Sequence, residues 1–493
     1  MSGRAVAAGV AAAGAVLVAL WVPWPEPGAP PGGGGTPFAW RQDERWHALE
    51  AEFRAARALG CAEVTPRVED GLRRARQLVA SVASRPVEPA DPVLSEIERA
   101  AFGLGAQVAA CPQALPAYAD LVARVRTVVK ERSMAWEMGE PATRVRLYRL
   151  LYGGRAALEE AMLQAPSGTV PALVRGDDDP SPTPSVQFLG VSVHSGDLLV
   201  SRGGVPTSAL IARGNDFPGN FSHVALVHVD ESSGAASVIE AHIERGVAVA
   251  TLADYMRDVK LRVMVLRLRT DLSQVRRDPL LPHRAAARAL AQARARHIPY
   301  DFGMDFADHA RLFCSEVGSA AYEPFGVTLW MGLSRISSPG LVAWLSGFGV
   351  RHLETQEPSD LEYDPQLRVV AEWRDPRALF DDHVDNAVVD AMIEGAEGGD
   401  RLSCPWLLLG PARCAKAYSS LLNLFGLVGP VPEGLSAAGA LRNRAFTQAH
   451  AAIREVVVRR AAGFERAHGY RPPYWELVSS ARRARAELGG GGR

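Results

Sequence analysis

The sequence lacks both an excess of charge and a phosphate-binding motif. Its 54 lysine and arginine residues offset 55 aspartate and glutamate residues, so the formal net charge is −1. Proteins that bind nucleic acid usually carry a marked basic excess, and nucleic acid is therefore not expected as a partner. The four-glycine runs at 32–35 and 489–492 lack the strand, lysine and helix of a phosphate loop. Nothing in the sequence indicates a cofactor.

Cysteine is also scarce, with five residues in 493. Cys61 and Cys111 lie in an early helical stretch, Cys404 and Cys414 lie close together near the end, and Cys314 stands alone. In an oxidising compartment the four outer cysteines are expected to form two disulfide bonds, which leaves Cys314 as a free thiol. Five unrelated buried thiols are the alternative.

Charged residues are absent from a long N-terminal stretch. Arg4 precedes an uncharged apolar run from Ala5 to Val22, and prolines and the glycine run 32–35 follow it. The run is about long enough to span a bilayer, and no A-x-A cleavage site closes it. Residues 1–36 are therefore predicted to be a signal peptide or, in preference, a retained N-terminal membrane anchor with its linker. The protein is then expected in the cell envelope, on the periplasmic or extracellular side.

The rest of the chain divides by its hydrophobic periodicity. Apolar residues recur at helical spacing through 37–176, which predicts a helical region without assigned chemistry. Short segments with β-strand character follow in 186–350, and they predict a small antiparallel sheet with helices. We expect this part of the chain to be the catalytic domain. Residues 351–493 form a mixed extension of unknown role, in which 360–376 is a candidate to complete the catalytic domain. The predicted fold class is α+β.

Cys314 occupies a chemically distinctive position. It follows a loop rich in aspartate and glycine and lies in the first turn of a segment predicted to be helical from Cys314 to Tyr322. A thiolate in the first turn of a helix is stabilised by exposed N–H groups and the positive end of the dipole, which lowers the pKa of the thiol. The same N–H groups can donate hydrogen bonds to the oxyanion of a tetrahedral intermediate. Cys314 is therefore the candidate nucleophile.

Among the 12 histidines, His223 has the best setting for a general base, inside a predicted strand. His228 is its rival. The two-residue period of a strand puts His223 and His228 on opposite faces, so they cannot share a metal ion or a substrate. Metal-dependent hydrolysis through these residues and His242 is disfavoured, and the H-E-x-x-H motif is also absent.

The next predicted strand carries Glu240. A four-residue loop, either Asp230–Ser233 or Glu231–Gly234, puts Glu240 on the face of His223, whereas a five-residue loop reverses this. Glu240 is then able to orient the imidazole and stabilise its charge, which is the third role in a Cys-His-polar triad. His242 has the same parity and remains the alternative third member.

Several short motifs, taken in order, resemble a known enzyme family. They are Gly196–Leu199, Thr207–Ile211, Phe221–Val224, Val238–Ala241, Pro299–Asp301 and Cys314–Val317. Together they resemble the permuted NlpC/P60 group, specifically the YiiX/YebB-like cysteine hydrolases, in which the histidine and the polar residue precede the cysteine. The resemblance covers about residues 190–345.

The resemblance implies a permuted papain-like fold, in which the small sheet packs on the helix that carries the cysteine. It implies a nucleophile at Cys314, a base at His223, an orienting residue at Glu240 and an active-site tyrosine at Tyr300. Asp197, which opens the first strand of the family pattern, is expected to be structural.

The function expected from these features is hydrolysis of an amide bond, with a cell-wall peptide as the expected substrate. The permuted scaffold also resembles lecithin:retinol acyltransferase-like proteins, so acyl transfer or deacylation on a lipid or lipoprotein stays open. A non-catalytic binding module of the envelope is the third interpretation, and it predicts an unreactive Cys314. The expected partners are a peptide or acyl substrate and, through the N-terminal segment, a membrane.

Overall fold

The computed structural model describes residues 20–22, 28–40, 43–166 and 168–490. Apart from its last three residues, the predicted export segment Ala5–Val22 lies outside these ranges. Within them, no helix is both long enough and apolar enough to cross a bilayer. The described chain begins with a helical layer, continues into an antiparallel sheet and ends in a second helical layer, so the predicted α+β class is confirmed.

The N-terminal region is helical, as predicted. Its helices are α1 (Asp43–Leu59), α2 (Cys61–Ala83), α3 (Pro92–Ala110), α4 (Leu115–Ser133) and α5 (Pro141–Leu163). In α2 the buried residues Val64, Val68 and Leu72 recur every four positions, so they lie on one face of the helix. Asp91 caps α3 by accepting a hydrogen bond from the backbone N–H of Val93.

One of the two predicted disulfide bonds is present in the described chain. Cys61, the first residue of α2, is bonded to Cys111, which directly follows α3. The predicted bond between Cys404 and Cys414 is wrong, because the thiol of Cys414 is free and exposed on a late helix. Cys314 is a free, buried thiol, as predicted.

The centre of the molecule is a seven-stranded antiparallel sheet with the order β1-β11-β8-β4-β5-β6-β7. Its strands are β1 (Leu173–Arg175), β4 (Leu198–Gly203), β5 (His223–Val229), β6 (Ala236–His242), β7 (Gly246–Ala250), β8 (Lys260–Leu268) and β11 (Leu367–Arg374). Two further pairs, β2 (Ser185–Phe188) with β3 (Val191–His194) and β9 (Ser334–Arg335) with β10 (Glu354–Thr355), lie outside this sheet.

Alternating side chains give the sheet two buried faces. The helices of this part of the chain are α6 (Pro206–Arg213), α7 (Leu252–Arg257), α8 (Ser273–Arg277), α9 (Leu281–Ala295) and α10 (Glu316–Tyr322). Leu198 and Val200 pack with residues of α9 and α10, whereas Leu199 packs on the opposite face with residues of the β2–β3 pair. The sheet therefore packs on the helix that follows Cys314.

The sheet also extends beyond residue 350, where the sequence placed the end of the catalytic domain. Strand β11 pairs with β8 on one side and with β1, which follows the helical region, on the other. The later helices are α11 (Pro339–Phe348), α12 (Leu379–Glu397), α13 (Leu409–Asn423), α14 (Ala437–His468) and α15 (Tyr474–Gly490). In chain order, the first strand of the sheet is β1 and the last is β11, and both lie outside the interval 186–350.

Buried ion pairs join the two helical layers to the sheet. Arg262 of β8 lies 2.6 Å from Glu159 of α5 and 2.5 Å from Asp382 of α12. All three side chains are almost fully buried. Removing one partner from such a pair leaves an uncompensated charge in the interior, which is strongly destabilising. The contacts therefore hold the three parts of the chain in a fixed arrangement.

Candidate active site

The pairing of β5 with β6 puts His223 and Glu240 on one face of the sheet. Ala225 lies opposite Glu240 in this pair, and the backbone N–H of Asp230 donates to the carbonyl of Ala235 at 3.0 Å. This register is the one expected for the four-residue loop Glu231–Gly234, so the sequence-based prediction of the shared face is confirmed.

Glu240 contacts two histidines at once. Its Oε2 atom lies 2.8 Å from Nε2 of His223, and its Oε1 atom lies 3.1 Å from Nε2 of His242. Burial opposes ionisation of Glu240, but the hydrogen bonds from the two imidazoles outweigh it and hold the pKa of Glu240 below its ordinary value. Both candidates for the third member thus belong to one cluster: the His242 ring lies 5.5 Å from the His223 ring, and Glu240 is the one that is hydrogen-bonded to His223.

The imidazole of His223 is mostly buried, with 16% of its side chain exposed. Burial lowers the pKa of His223, although the contact with Glu240 acts in the opposite direction. Because Glu240 is ionised, Nε2 carries the hydrogen of a neutral imidazole and donates it to the carboxylate. Nδ1 is therefore the nitrogen that is left to accept a proton.

Cys314 lies against the backbone beside His223. Its thiol points at the carbonyl oxygen of Ser222, 3.9 Å from the sulfur, and the side chain is only 5% exposed. Helix α10 begins at Glu316, with Ser315 as its N-cap, so the cysteine precedes the helix rather than lying in its first turn as predicted. The approach of Cys314 to the start of β5 brings nucleophile and base candidates together.

The predicted lowering of the cysteine pKa is wrong for this resting structure. Burial and the nearby carboxyl of Glu357 raise the pKa of Cys314 to about 12, although hydrogen bonds from Ser315 and the amide of Val224 favour the thiolate. The helix that was expected to stabilise the thiolate is seven residues long and begins two residues later. The thiol and the imidazole therefore rest as a neutral pair.

The loop before Cys314 is held by its own polar groups. Asp301 accepts hydrogen bonds from the backbone N–H groups of Gly303 and Asp305, and Leu312 donates its N–H to the carbonyl of Pro299. Glu316 accepts a hydrogen bond at 2.9 Å from the backbone N–H of Phe313, which closes the turn around the cysteine. These bonds fix the backbone on both sides of the thiol.

Tyr300 lies in this loop beside the thiol. Burial raises the pKa of Tyr300 well above its ordinary value, and Cys314 raises it further. The tyrosine ring lies 6.0 Å from that of Phe302, and its edge lies close to Gly434 of the C-terminal extension. The structure thus brings all four predicted site residues into one region.

Sequence reasoning missed Glu357. Its buried carboxyl contributes to raising the pKa of both Cys314 and Tyr300. It is 4% exposed, and its Oε2 atom has no hydrogen-bond partner among the residues that the structure describes. Burial, and then the charge of Asp360, raise the pKa of Glu357 well above its ordinary value. The local sequence signals only a helical cap at this point, and nothing in it indicates that the chain returns to the thiol.

Two other residues named from the sequence have structural surroundings. Asp197 accepts hydrogen bonds at 2.9 and 2.8 Å from the guanidinium of Arg267, in agreement with the structural role expected for it. His228 stacks on His283 with ring centroids 5.2 Å apart, on the opposite face from Glu240. Within the described ranges, no group of three or more potential ligand side chains is placed to hold a metal ion.

A cavity of about 670 Å³ lies elsewhere, between the N-terminal helices and the C-terminal ones. Aromatic side chains, including Trp40 and Tyr474, line much of it. None of the four predicted site residues contributes to its wall. The cavity is therefore separate from the cluster of Cys314, His223 and Glu240.

Comparison with known proteins gives one family and one structure. Residues 192–371 match the family model described as "Permuted papain-like amidase enzyme, YaeF/YiiX, C92 family". The similar solved structure is described as "Crystal structure of metalloprotein yiiX from Escherichia coli O157:H7, DUF1105", with 20% identity over 37% of this chain and 98% of that chain and a TM-score of 0.28. No curated protein matches the chain.

Proposed function

We propose that Cys314, His223 and Glu240 form a catalytic triad and that the substrate is a cell-wall peptide, because residues 192–371 match the model of the permuted papain-like amidase family. The observation that most directly supports the triad is the 2.8 Å contact between Nε2 of His223 and Oε2 of Glu240. The Cys314 thiol lies against the backbone of the preceding residue, Ser222. The His223–Glu240 contact leaves Nδ1 of the imidazole available for the thiol proton.

The proposed reaction starts from the neutral pair. The Cys314 sulfur attacks the carbonyl carbon of the amide while Nδ1 of His223 takes the thiol proton, which gives a tetrahedral oxyanion and an imidazolium. The ionised Glu240 stabilises that imidazolium. His223 then gives the proton to the leaving amine as the carbon–nitrogen bond breaks, and a thioester remains on Cys314.

Water completes the cycle. His223 takes a proton from a water molecule whose oxygen attacks the thioester carbonyl, and the carboxylic acid leaves as the sulfur regains its proton. Tyr300 is proposed to donate its O–H to the oxyanion, because its raised pKa keeps that hydroxyl protonated near neutral pH.

We further propose that the protein acts in the cell envelope and that its apolar N-terminal run, Ala5–Val22, directs export or anchors it. The described chain holds a disulfide-bonded Cys61–Cys111 pair and, elsewhere in the fold, the free thiol of Cys314. A disulfide together with a separate free thiol suits an oxidising compartment, which supports this assignment.

Acylation or deacylation of a lipid or lipoprotein is the second candidate function. One observation favours it, namely that the C-terminal segment beside Tyr300 follows directly after an exposed apolar stretch of the chain. The thioester intermediate serves both functions, so the acyl donor alone distinguishes them.

The test is hydrolysis of a purified muropeptide and of phospholipid vesicles by the full chain, with products identified by mass spectrometry. The proposal expects a new amine and a new carboxylate from the muropeptide, no such products with Cys314→Ala, and unchanged rates with Cys414→Ser as the matched thiol control. Release of fatty acid with an intact muropeptide transfers the assignment to the second candidate. Turnover of either substrate by Cys314→Ala contradicts the thiol mechanism.

A further inference from the structure

An unusual concentration of exposed apolar side chains lies in the C-terminal extension, on α13 and the segments beside it. We call it the apolar surface, and its residues are Trp406, Leu407, Leu408, Tyr418, Leu421, Leu424, Phe425, Leu427 and Val428. Their exposed fractions run from 39% at Leu408 to 81% at Leu424. Large exposed apolar patches mark surfaces that bind another apolar body, because water contact with them is unfavourable.

The charge pattern around the apolar surface is one-sided. Between Asp400 and Glu433 the chain carries no acidic residue, and its charged residues there are Arg401, Arg413 and Lys416. Elsewhere the chain is balanced between the two signs. A segment rich in exposed apolar side chains and without acidic ones suits an interface with anionic lipid headgroups, because no negative side chain within it repels them.

The apolar surface also holds the end of the uncharged N-terminal run. The indole N–H of Trp21 donates to the carbonyl of Leu407 at 3.1 Å, and Arg413 donates to the carbonyls of Leu20 and Val22 at 2.9 and 2.8 Å. The Trp21 ring lies so close to Gly410 that a side chain there would meet it. The residues that continue the run toward the N-terminus, from Ala5, are uncharged and apolar.

We propose that the apolar surface docks on a lipid bilayer, on the same membrane that the N-terminal run enters. A run of this length needs a hydrocarbon environment, and its last residues lie on the apolar surface. One bilayer accommodates both adjacent apolar features, with Leu424 and Phe425 inserted and the exposed Arg401 at the headgroups. Two other occupants would contradict this proposal, namely the N-terminal run folded back on the surface and a second copy of the chain. The experiment that follows distinguishes both from a bilayer.

The docked surface is connected directly to the active site. Lys416 of α13 donates to the carbonyls of Pro432 and Glu433, each at 2.8 Å. The next residue, Gly434, donates its N–H to the carbonyl of Ile243 at 2.9 Å and lies against Tyr300. Docking therefore holds the site at a fixed orientation to the bilayer. If the proposed function is correct, on which this consequence alone rests, the enzyme acts on substrates held at the membrane.

The test measures insertion at one position of the full chain in vesicles of phosphatidylcholine with phosphatidylglycerol. In a Cys414→Ser background, Leu424→Cys carries an environment-sensitive fluorophore, and Val259→Cys, 69% exposed, carries it in the matched control. Lipids brominated in their acyl chains report contact with the bilayer interior. Circular dichroism and the position of the label by peptide mapping verify both variants.

Docking predicts strong quenching by brominated lipid at position 424 and none above background at position 259, with a blue shift only when vesicles are present. Equal and weak quenching at both positions on vesicle-bound protein overturns the proposal, as does a failure to bind vesicles. A blue shift of the label at position 424 without vesicles means that the surface is already covered. It overturns the proposal and assigns the surface to the N-terminal run. Energy transfer between labelled copies assigns it to a dimer. If the protein shows no catalysis but quenching at position 424 is present, the docking proposal stands and only the proposed function is contradicted.

Discussion

Nε2 of His223 lies 2.8 Å from Oε2 of Glu240, and this contact decides which nitrogen of the imidazole faces the chemistry. A hydrogen bond at Nε2 to an ionised carboxylate fixes the tautomer with its lone pair on Nδ1. Glu240 is the group that favours the charged form of this imidazole, against the burial that opposes it. The pair therefore supplies both the orientation and the charge that a cysteine nucleophile needs.

Replacing the nucleophile is expected to remove activity without unfolding the protein. Cys314→Ser keeps the volume of this buried side chain but supplies a much weaker nucleophile. We expect a fall in kcat on the order of 10⁴-fold or more. The measurement is the steady-state rate on the preferred substrate, with thermal unfolding as the check on the fold. Cys414→Ser, on an exposed helix position, is expected to keep the parent rate.

Replacing the orienting residue distinguishes the two candidates for the third member. Glu240→Gln keeps the size of the side chain but removes the charge and permits the wrong tautomer of His223, so kcat is expected to fall on the order of 10²-fold to 10⁴-fold. His242→Gln leaves the His223–Glu240 contact in place, and we expect a loss below about tenfold. The reverse order of the two losses would make His242 the third member.

The pH profile of thiol labelling tests the resting charge state. Because burial and Glu357 raise the pKa of Cys314 to about 12, the thiol is protonated at neutral pH and its labelling rate by iodoacetamide is expected to rise continuously as pH increases. A plateau reached below about pH 7 would indicate a preformed thiolate–imidazolium pair. Labelled peptides identified by mass spectrometry separate Cys314 from the exposed Cys414.

Glu240 is expected to make stability pH-dependent. Its folded-state pKa lies below the ordinary value of 4.5, so its contribution to stability is complete above that value and is lost as the pH falls through the folded-state pKa. Between about pH 6 and pH 3 the unfolding free energy of the parent should therefore fall more than that of Glu240→Gln. Urea unfolding across this interval measures the difference, and parallel curves would exclude the linkage.

The disulfide is expected to stabilise the helical region. Cys61 and Cys111 are separated by 50 residues, and closing a loop of that size removes chain entropy worth about 4 kcal/mol from the unfolded state in the simplest model. We expect Cys61→Ala with Cys111→Ala to lower the free energy of unfolding by about 2–4 kcal/mol. Denaturant unfolding without reductant measures it, with the parent in reductant as the control.

Local patterns were sufficient to predict much of the site. Alternation along β5 and β6, together with the polar turn between them, predicted the face shared by His223 and Glu240, and the register confirms it. The antiparallel sheet and the family resemblance are confirmed as well. These features depend on residues that are close in sequence or on motifs in a fixed order.

Features that depend on distant residues were missed. The direction of the Cys314 pKa shift was wrong because burial is set by side chains from several elements, and Glu357 returns to the thiol 43 positions later in the chain. The bond between Cys404 and Cys414 was wrong because nearness in sequence does not bring two sulfurs together when one of them lies on an exposed helix. Strand β11 lies within 360–376, the interval named as a candidate to complete the domain, but its pairing with β8 and β1 was not predicted, since strand pairing is set by the whole fold.

The most direct test of the proposed triad is detection of the thioester. The full chain is mixed with a p-nitrophenyl acyl ester, quenched in acid within the first turnover and digested for mass spectrometry. The account predicts a single acyl group on the peptide that contains Cys314, with a burst of p-nitrophenol that His223→Ala abolishes. An acyl group on another residue, or turnover with no acylated cysteine at any time, would contradict it.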